Sequence, residues 1–201
     1  HYGDITGSLR LKNNVVSLYE NKSEKNVTVT LGGIGGNSLV FLSLLEQGDE
    51  VVSIIPTYQQ LYSIPKQFGA NVKLLKLKPE LNWHVDLEEL ERTVSEKTKL
   101  ITINNPNNPT GAVLSEFELK NIVEIAKNVG AYVLSDEVYR FLNHDKNSST
   151  VSIADLYDKG ISTFSMSKTF SLAGIRVGFV VAEEEIIEKI NLQRQYNTIS
   201  I

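Results

Sequence analysis

Short runs of aliphatic and β-branched residues alternate along the chain with stretches whose apolar positions recur every three or four residues. Seven runs read as strands: Val27 to Leu31, Val51 to Ile55, Val72 to Leu77, Lys99 to Asn104, Ala131 to Ser135, Ile161 to Ser165 and Val177 to Val181. Val51 to Ile55 is almost wholly apolar, which marks a strand covered on both faces of a parallel sheet. The helical spacing predicts helices over Leu9 to Glu20, Asn37 to Glu46, Pro56 to about Phe68, Asp86 to Val94 and Ser115 to Asn128, with another opening at Glu183. Ser115-Glu-Phe-Glu118 has the spacing of a capping box, and Gly48, Gly69 and Gly130 stop the helices before them. The polar run from Asn143 to Thr150 reads as a surface loop. Strands alternating with helices predict an α/β fold, three layers in the order α-β-α around a mainly parallel sheet, forming one domain over residues 1–201.

Composition narrows the classes. The chain has 201 residues, 41% of them hydrophobic, which is enough for a proper core. Its net charge of −4 is spread along the sequence, which argues against a nucleic-acid footprint or a polybasic membrane surface. No apolar run approaches the roughly 18–20 residues of a membrane helix. There is no cysteine, so neither a disulfide frame nor a thiolate metal site can form, and a reducing, cytoplasmic setting is the expectation. Three scattered histidines leave no metal centre to expect. The chain begins at His1 and stops within the polar run from Gln193 to Ile201, and we read it as a piece of a longer protein.

Candidate chemistry concentrates where strands end, which is where open α/β sheets collect ligands. Ser165-Met-Ser-Lys168 follows a strand, and Arg176 stands eight positions after the lysine. A lysine becomes nucleophilic when desolvation or a neighbouring cation lowers its pKa, and it can then form a Schiff base with a carbonyl. Pyridoxal phosphate needs both an amine for its aldehyde and hydroxyls with an arginine for its phosphate. Lys168 is the candidate amine, and Ser165, Ser167 and Arg176 are candidates for the phosphate.

Four further strand ends add to this, each with a plainer structural reading as a turn. Gly32-Gly-Ile-Gly-Gly36 precedes a helix whose free N–H groups suit an anion, but it is neither a dinucleotide fingerprint nor a P-loop. Tyr58 in Pro56-Thr-Tyr58 could stack on a ring or belong to the core. Asn104 to Gly111 carries four asparagines and two prolines and reads either as a rigid turn or as a source of amide groups. Asp136-Glu-Val-Tyr139 places an acid at the end of a buried strand, where it needs a partner: a local lysine or arginine, or a protonated pyridine nitrogen.

In this order the motifs resemble those of fold-type-I pyridoxal-phosphate enzymes, specifically the class I/II aminotransferases of the aspartate aminotransferase superfamily. The resemblance runs from Tyr2 to about Ile190 and is most specific in Asn-Asn-Pro-Thr-Gly, Asp-Glu-Val-Tyr and Ser-x-Ser-Lys. It implies the large cofactor-binding domain of that fold, with the N-terminal arm and the small C-terminal domain lying outside the chain. It implies an enzyme that moves an amino group between an amino acid and a 2-oxo acid through a Schiff base on Lys168. By the same resemblance Asp136 would pair with the pyridine nitrogen, Asn108 and Tyr139 would bond the phenolic oxygen, and Tyr58 would stack on the ring. The N–H groups of Gly33 and Ile34 would join Ser165, Ser167 and Arg176 at the phosphate, and Tyr2 would reach a neighbouring subunit's phosphate in a homodimer. Family members often carry Ser or Thr where Ile34 stands, so here only the backbone N–H remains.

The scaffold alone does not choose the reaction. A β-lyase, a cyclising synthase, an acyl transferase, or a cofactor-sensing domain of a transcriptional regulator would use the same fold. The regulator would need a basic DNA-binding module before His1.

Overall fold

The computed structural model describes residues 3–142 and 150–198. Tyr2 and most of the polar run expected as a loop, residues 143–149, lie outside them. Seven strands form one sheet: β1 (Val27–Leu31), β2 (Glu50–Ile55), β3 (Asn71–Lys76), β4 (Thr98–Asn104), β5 (Tyr132–Asp136), β6 (Gly160–Ser165) and β7 (Val177–Val181). Their order across the sheet is β1-β7-β6-β5-β4-β2-β3. From β6 to β3 every pairing is parallel, and β7 alone runs against its two neighbours.

The strands alternate which face they present, and both faces are buried. Val52, Ile54, Ile101, Ile103 and Val133 pack on one side, against α4 (Leu87–Thr93) and α5 (Glu116–Val129). Val51, Leu100, Leu134 and Ile161 point to the other side, against α2 (Gly32–Leu44), α3 (Gln60–Gln67) and α7 (Glu184–Arg194). A smaller cluster joins α1 (Leu9–Val16) and Ala154 of the short helix α6 (Ile153–Leu156) to Phe164 and Phe179. The three-layer α-β-α arrangement is therefore the one the continuous apolar runs require.

Local signals act as expected at several ends. Ser8 accepts from the Leu11 N–H, Asp86 from that of Glu89, and Ser115 and Glu118 close their capping box. Gly130 ends α5 at φ +70°.

Three expectations need correction. The glycines from Gly32 to Gly36 are not a loop before a helix starting at Asn37; they are the first turns of α2, where a Cβ on Gly33 or Gly36 would press on Val138 or Val180. The first helix stops at Val16 rather than Glu20, because Leu18 and Tyr19 turn back with bonds to Val15 and Val16. Tyr19 then hydrogen-bonds Ser162 of β6 at 2.9 Å. Pro56-Thr-Tyr58 forms a turn, with α3 beginning only at Gln60. Helix α6 has no counterpart in the sequence reading, since four residues are too few to show a period.

Register positions the site. Asn104 of β4 lies beside Asp136 of β5, Asp136 beside Thr163 of β6, and Ser165 beside Gly178 of β7. Leu31 at the end of β1 pairs with Val177 at the start of the reversed β7. The carboxyl ends of β1, β4, β5 and β6 thus meet the amino end of β7 along one edge.

Candidate active site

Along that edge lies a cavity of about 340 Å³. Its walls include Gly33, Ile34, Tyr58, Asn108, Asp136, Tyr139, Ser165, Ser167, Lys168 and Arg176, every described residue singled out from the sequence. Tyr2 lies outside the described residues. Asn37, Asn104, Val138 and Ala173 complete the lining.

At the end of β5, Asp136 is only 4% exposed. Burial pushes its carboxyl group above the usual range, while hydrogen bonds from Asn37 and the Val138 N–H hold it down. The Asn37 Nδ2 donates to Oδ2 at 2.9 Å and Val138 N to Oδ1 at 3.2 Å. None of the influences on it is a positive charge. Among the described residues no lysine or arginine forms an ion pair with it, the partner that the plainer reading required.

Its neighbour Glu137 faces the opposite way, as strand geometry demands. Ser162, Ser152 and the Ile153 N–H donate to it at 2.8, 3.1 and 3.0 Å, and Arg140 stands 3.6 Å away. One acid of the Asp-Glu pair is thus satisfied within the protein and the other opens on the cavity.

After β6 the chain turns sharply. Ser165 Oγ accepts from the Ser167 N–H at 3.1 Å and donates to Ser167 Oγ at 2.8 Å. Arg176 Nη1 donates to Ser167 Oγ at 3.3 Å and to the Ala173 carbonyl at 2.8 Å, so two hydroxyls and a guanidinium form one connected cluster. Lys168 Nζ sits 5.9 Å from the centre of the Tyr139 ring. Thr169 Oγ1 donates to the Arg140 carbonyl at 2.6 Å and ties the lysine turn to the end of β5.

Opposite the cluster, α2 begins with no side-chain cap and no acid in its first turn, leaving its N–H groups and dipole directed at the edge. The approach is tight. A Cβ on Gly32 would come within 2.5 Å of Arg176 Nη2, and one on Gly178 within 2.4 Å of the Gly32 carbonyl carbon. In the Asn104–Gly111 loop most amides serve the loop itself. Asn104 donates to the Asp136 carbonyl at 2.8 Å and accepts from Asn108 N at 2.7 Å, while Asn107 donates to the Pro56 carbonyl at 3.1 Å. Asn108 also lines the cavity.

Sequence reasoning missed Asn37, and named Asn104 only as part of the amide-rich loop. Asn37 left one trace, a polar residue on the buried face of an otherwise apolar helix. Among the described residues no group of His, Cys, Asp and Glu could hold a metal ion, and no helix is long and apolar enough to cross a membrane.

A mainly parallel α/β sheet thus carries at its carboxyl edge one cavity lined by an amine, a buried acid and a hydroxyl–guanidinium cluster. The family comparison makes this specific: residues 1–200 match the model of aminotransferase class I and II, and the chain belongs to that family. It is 36% identical to the aspartate aminotransferase of Sulfolobus acidocaldarius over 174 residues, covering 85% of this chain and 44% of that protein. Against the aspartate aminotransferase of Pyrococcus horikoshii the identity is 35% over 201 residues, with 98% and 51% covered. The crystal structure of a PLP-dependent aminotransferase from Streptococcus suis superposes with a TM-score of 0.93 at 47% identity, covering 98% of this chain and 52% of that one. The chain spans about half the length of the curated relatives it matches.

Proposed function

We propose that the chain is the cofactor-binding domain of a pyridoxal-phosphate-dependent aminotransferase that moves an amino group between an amino acid and a 2-oxo acid. The observation that carries this reading is Asp136, a buried acid with no ion-pair partner among the described residues, opening on the same cavity as Lys168 and the Ser165–Ser167–Arg176 cluster. An uncompensated buried charge is costly, and a protonated ring nitrogen supplies the missing positive partner. The glycine cradle, which a single Cβ would fill, fits a phosphate brought close to backbone N–H groups.

In this reading Ser165, Ser167, Arg176 and the N–H groups of Gly33 and Ile34 hold the phosphate. Tyr58 covers one face of the ring, and Asn108 and Tyr139 donate to the phenolic oxygen. Asp136 keeps the ring nitrogen protonated. Bound there, pyridoxal phosphate supplies an electron sink for the carbanion left when a proton leaves the substrate Cα. Lys168 would hold the cofactor through Nζ, and the same Nζ would move the substrate's Cα proton. A homodimer in which Tyr2 reaches the neighbouring site, and a cytoplasmic setting, complete the proposal.

The test is cofactor binding and turnover by the full-length protein. Pyridoxal phosphate should give a protein-bound visible absorption band that Lys168→Ala loses, and conversion of an amino acid should depend on an added 2-oxo acid. Release of pyruvate and ammonia without any acceptor would overturn transamination in favour of a β-lyase.

A further inference from the structure

We propose that Asn37 is a positioning residue: its amide, locked by Thr163 and Gln60, holds Asp136 as the counter-ion of the cofactor's ring nitrogen. The inference rests on the cofactor reading above and adds to it a residue that no motif of the chain points to.

The geometry fixes Asn37 from three directions. Thr163 Oγ1 donates to its Oδ1 at 2.6 Å. One Nδ2 hydrogen goes to Asp136 Oδ2 at 2.9 Å and the other to Gln60 Oε1 at 3.2 Å. Gln60 is held in turn, its Nε2 donating to the Ile34 carbonyl at 2.8 Å and to Ser38 Oγ at 3.0 Å. Turning the Asn37 amide over would set its oxygen against an acceptor-only carboxylate and against the Gln60 carbonyl oxygen, so this orientation alone satisfies the site. Asn37 is 1% exposed and Thr163 fully buried, so water cannot take over either bond. The network runs unbroken from the glycine turn at Ile34, beside the proposed phosphate position, to the acid at the ring-nitrogen position.

One proton is shared between the carboxyl group of Asp136 and the ring nitrogen, and the Asn37 donor decides where it rests. A hydrogen bond donated to a carboxylate favours the charged acid, which leaves the proton on nitrogen. Without that donor burial favours the neutral acid and an unprotonated ring, with the Val138 N–H alone opposing it.

The test uses the full-length protein, pyridoxal phosphate with an isotopically labelled ring nitrogen, and an analogue in which C–H replaces that nitrogen. In the parent protein the nitrogen resonance should be that of a protonated pyridinium. In Asn37→Leu it should move towards the neutral position, with pyridoxal phosphate bound about 10- to 100-fold more weakly and the analogue bound as before, the loss expected for a hydrogen bond to a charged group. Thr163→Val, which only unlocks the amide, should act in the same direction by about 2- to 10-fold and keeps the inference testable if Asn37→Leu does not fold. Equal weakening of both ligands would assign Asn37 a purely structural role and overturn the inference, as would an unmoved resonance. In either case the cofactor reading survives. Failure of the parent protein to bind pyridoxal phosphate would instead remove that reading and the inference with it.

Discussion

At the scale of single residues, the site turns on two adjacent acids with opposite fates. Asp136 and Glu137 are both buried, and burial pushes both carboxyl groups up. Glu137 is answered by Arg140 and three donors, whereas Asp136 has two donors and no ion-pair partner among the described residues. Asp136 therefore binds a proton more tightly in the folded protein than at its ordinary value of about 3.9 in the unfolded chain. Its contribution to stability is full below that value and is lost as pH rises through the folded value. Urea unfolding of the cofactor-free protein across a pH series should show wild type losing ground to Asp136→Asn as pH rises above about 4. A difference independent of pH would contradict this. The sequence named Asp136 from its place at a strand end and left its partner open between a local cation and a ring nitrogen. The absence of the cation was not legible, because it depends on what the folded chain brings near the carboxylate.

Among the elements, α2 and β7 matter most. The glycine run was legible as an anion cradle but was misread as a loop, since five residues with four glycines have low intrinsic helix propensity. Tertiary packing overrides that weakness: Gly178 of β7 lies against the Gly32 backbone, leaving no room for a side chain. Gly178→Ala should cost on the order of 1–3 kcal/mol of stability and weaken phosphate-dependent cofactor binding, because the helix start and the strand must part. Ser115→Ala at the capping box of α5, away from the site, should cost about 1 kcal/mol and leave binding unchanged. Paired denaturation and cofactor titrations on the two variants separate the effects, and equal binding by both would show that the α2–β7 contact does not shape the cradle. The capping box was readable because it is local, spanning four residues.

For the molecule as a whole, the lysine turn and the start of α2 carry exposed apolar side chains. Phe170, Leu172 and Ile175 of the lysine turn, with Ile34 at the start of α2, are each at least 42% exposed. Apolar surface gathered beside a polar site marks an interaction surface, which supports the proposed homodimer. The full-length protein should sediment as a dimer. Ile175→Glu, outside the proposed cofactor contacts, should shift it towards monomer and weaken cofactor binding about 10-fold or more, since each site would lose the partner's Tyr2. A dimer unaffected by this change would place the subunit contact elsewhere.

The sequence by itself determined the α/β class, all seven strands to within a residue or two, the caps at Ser8, Asp86 and Ser115, and ten described residues that line one cavity, because periodicity, capping and strand-end motifs are written within a few positions of one another. The tertiary structure alone decided the reversal of β7, the register that aligns the strand ends, and which acid meets the cavity. It also decided that Asn37 would meet Asp136, 99 positions away, and Thr163, 126 positions away. Such partners are chosen by how strands pair and helices pack across the sheet, and no short window of sequence contains both sides of that choice.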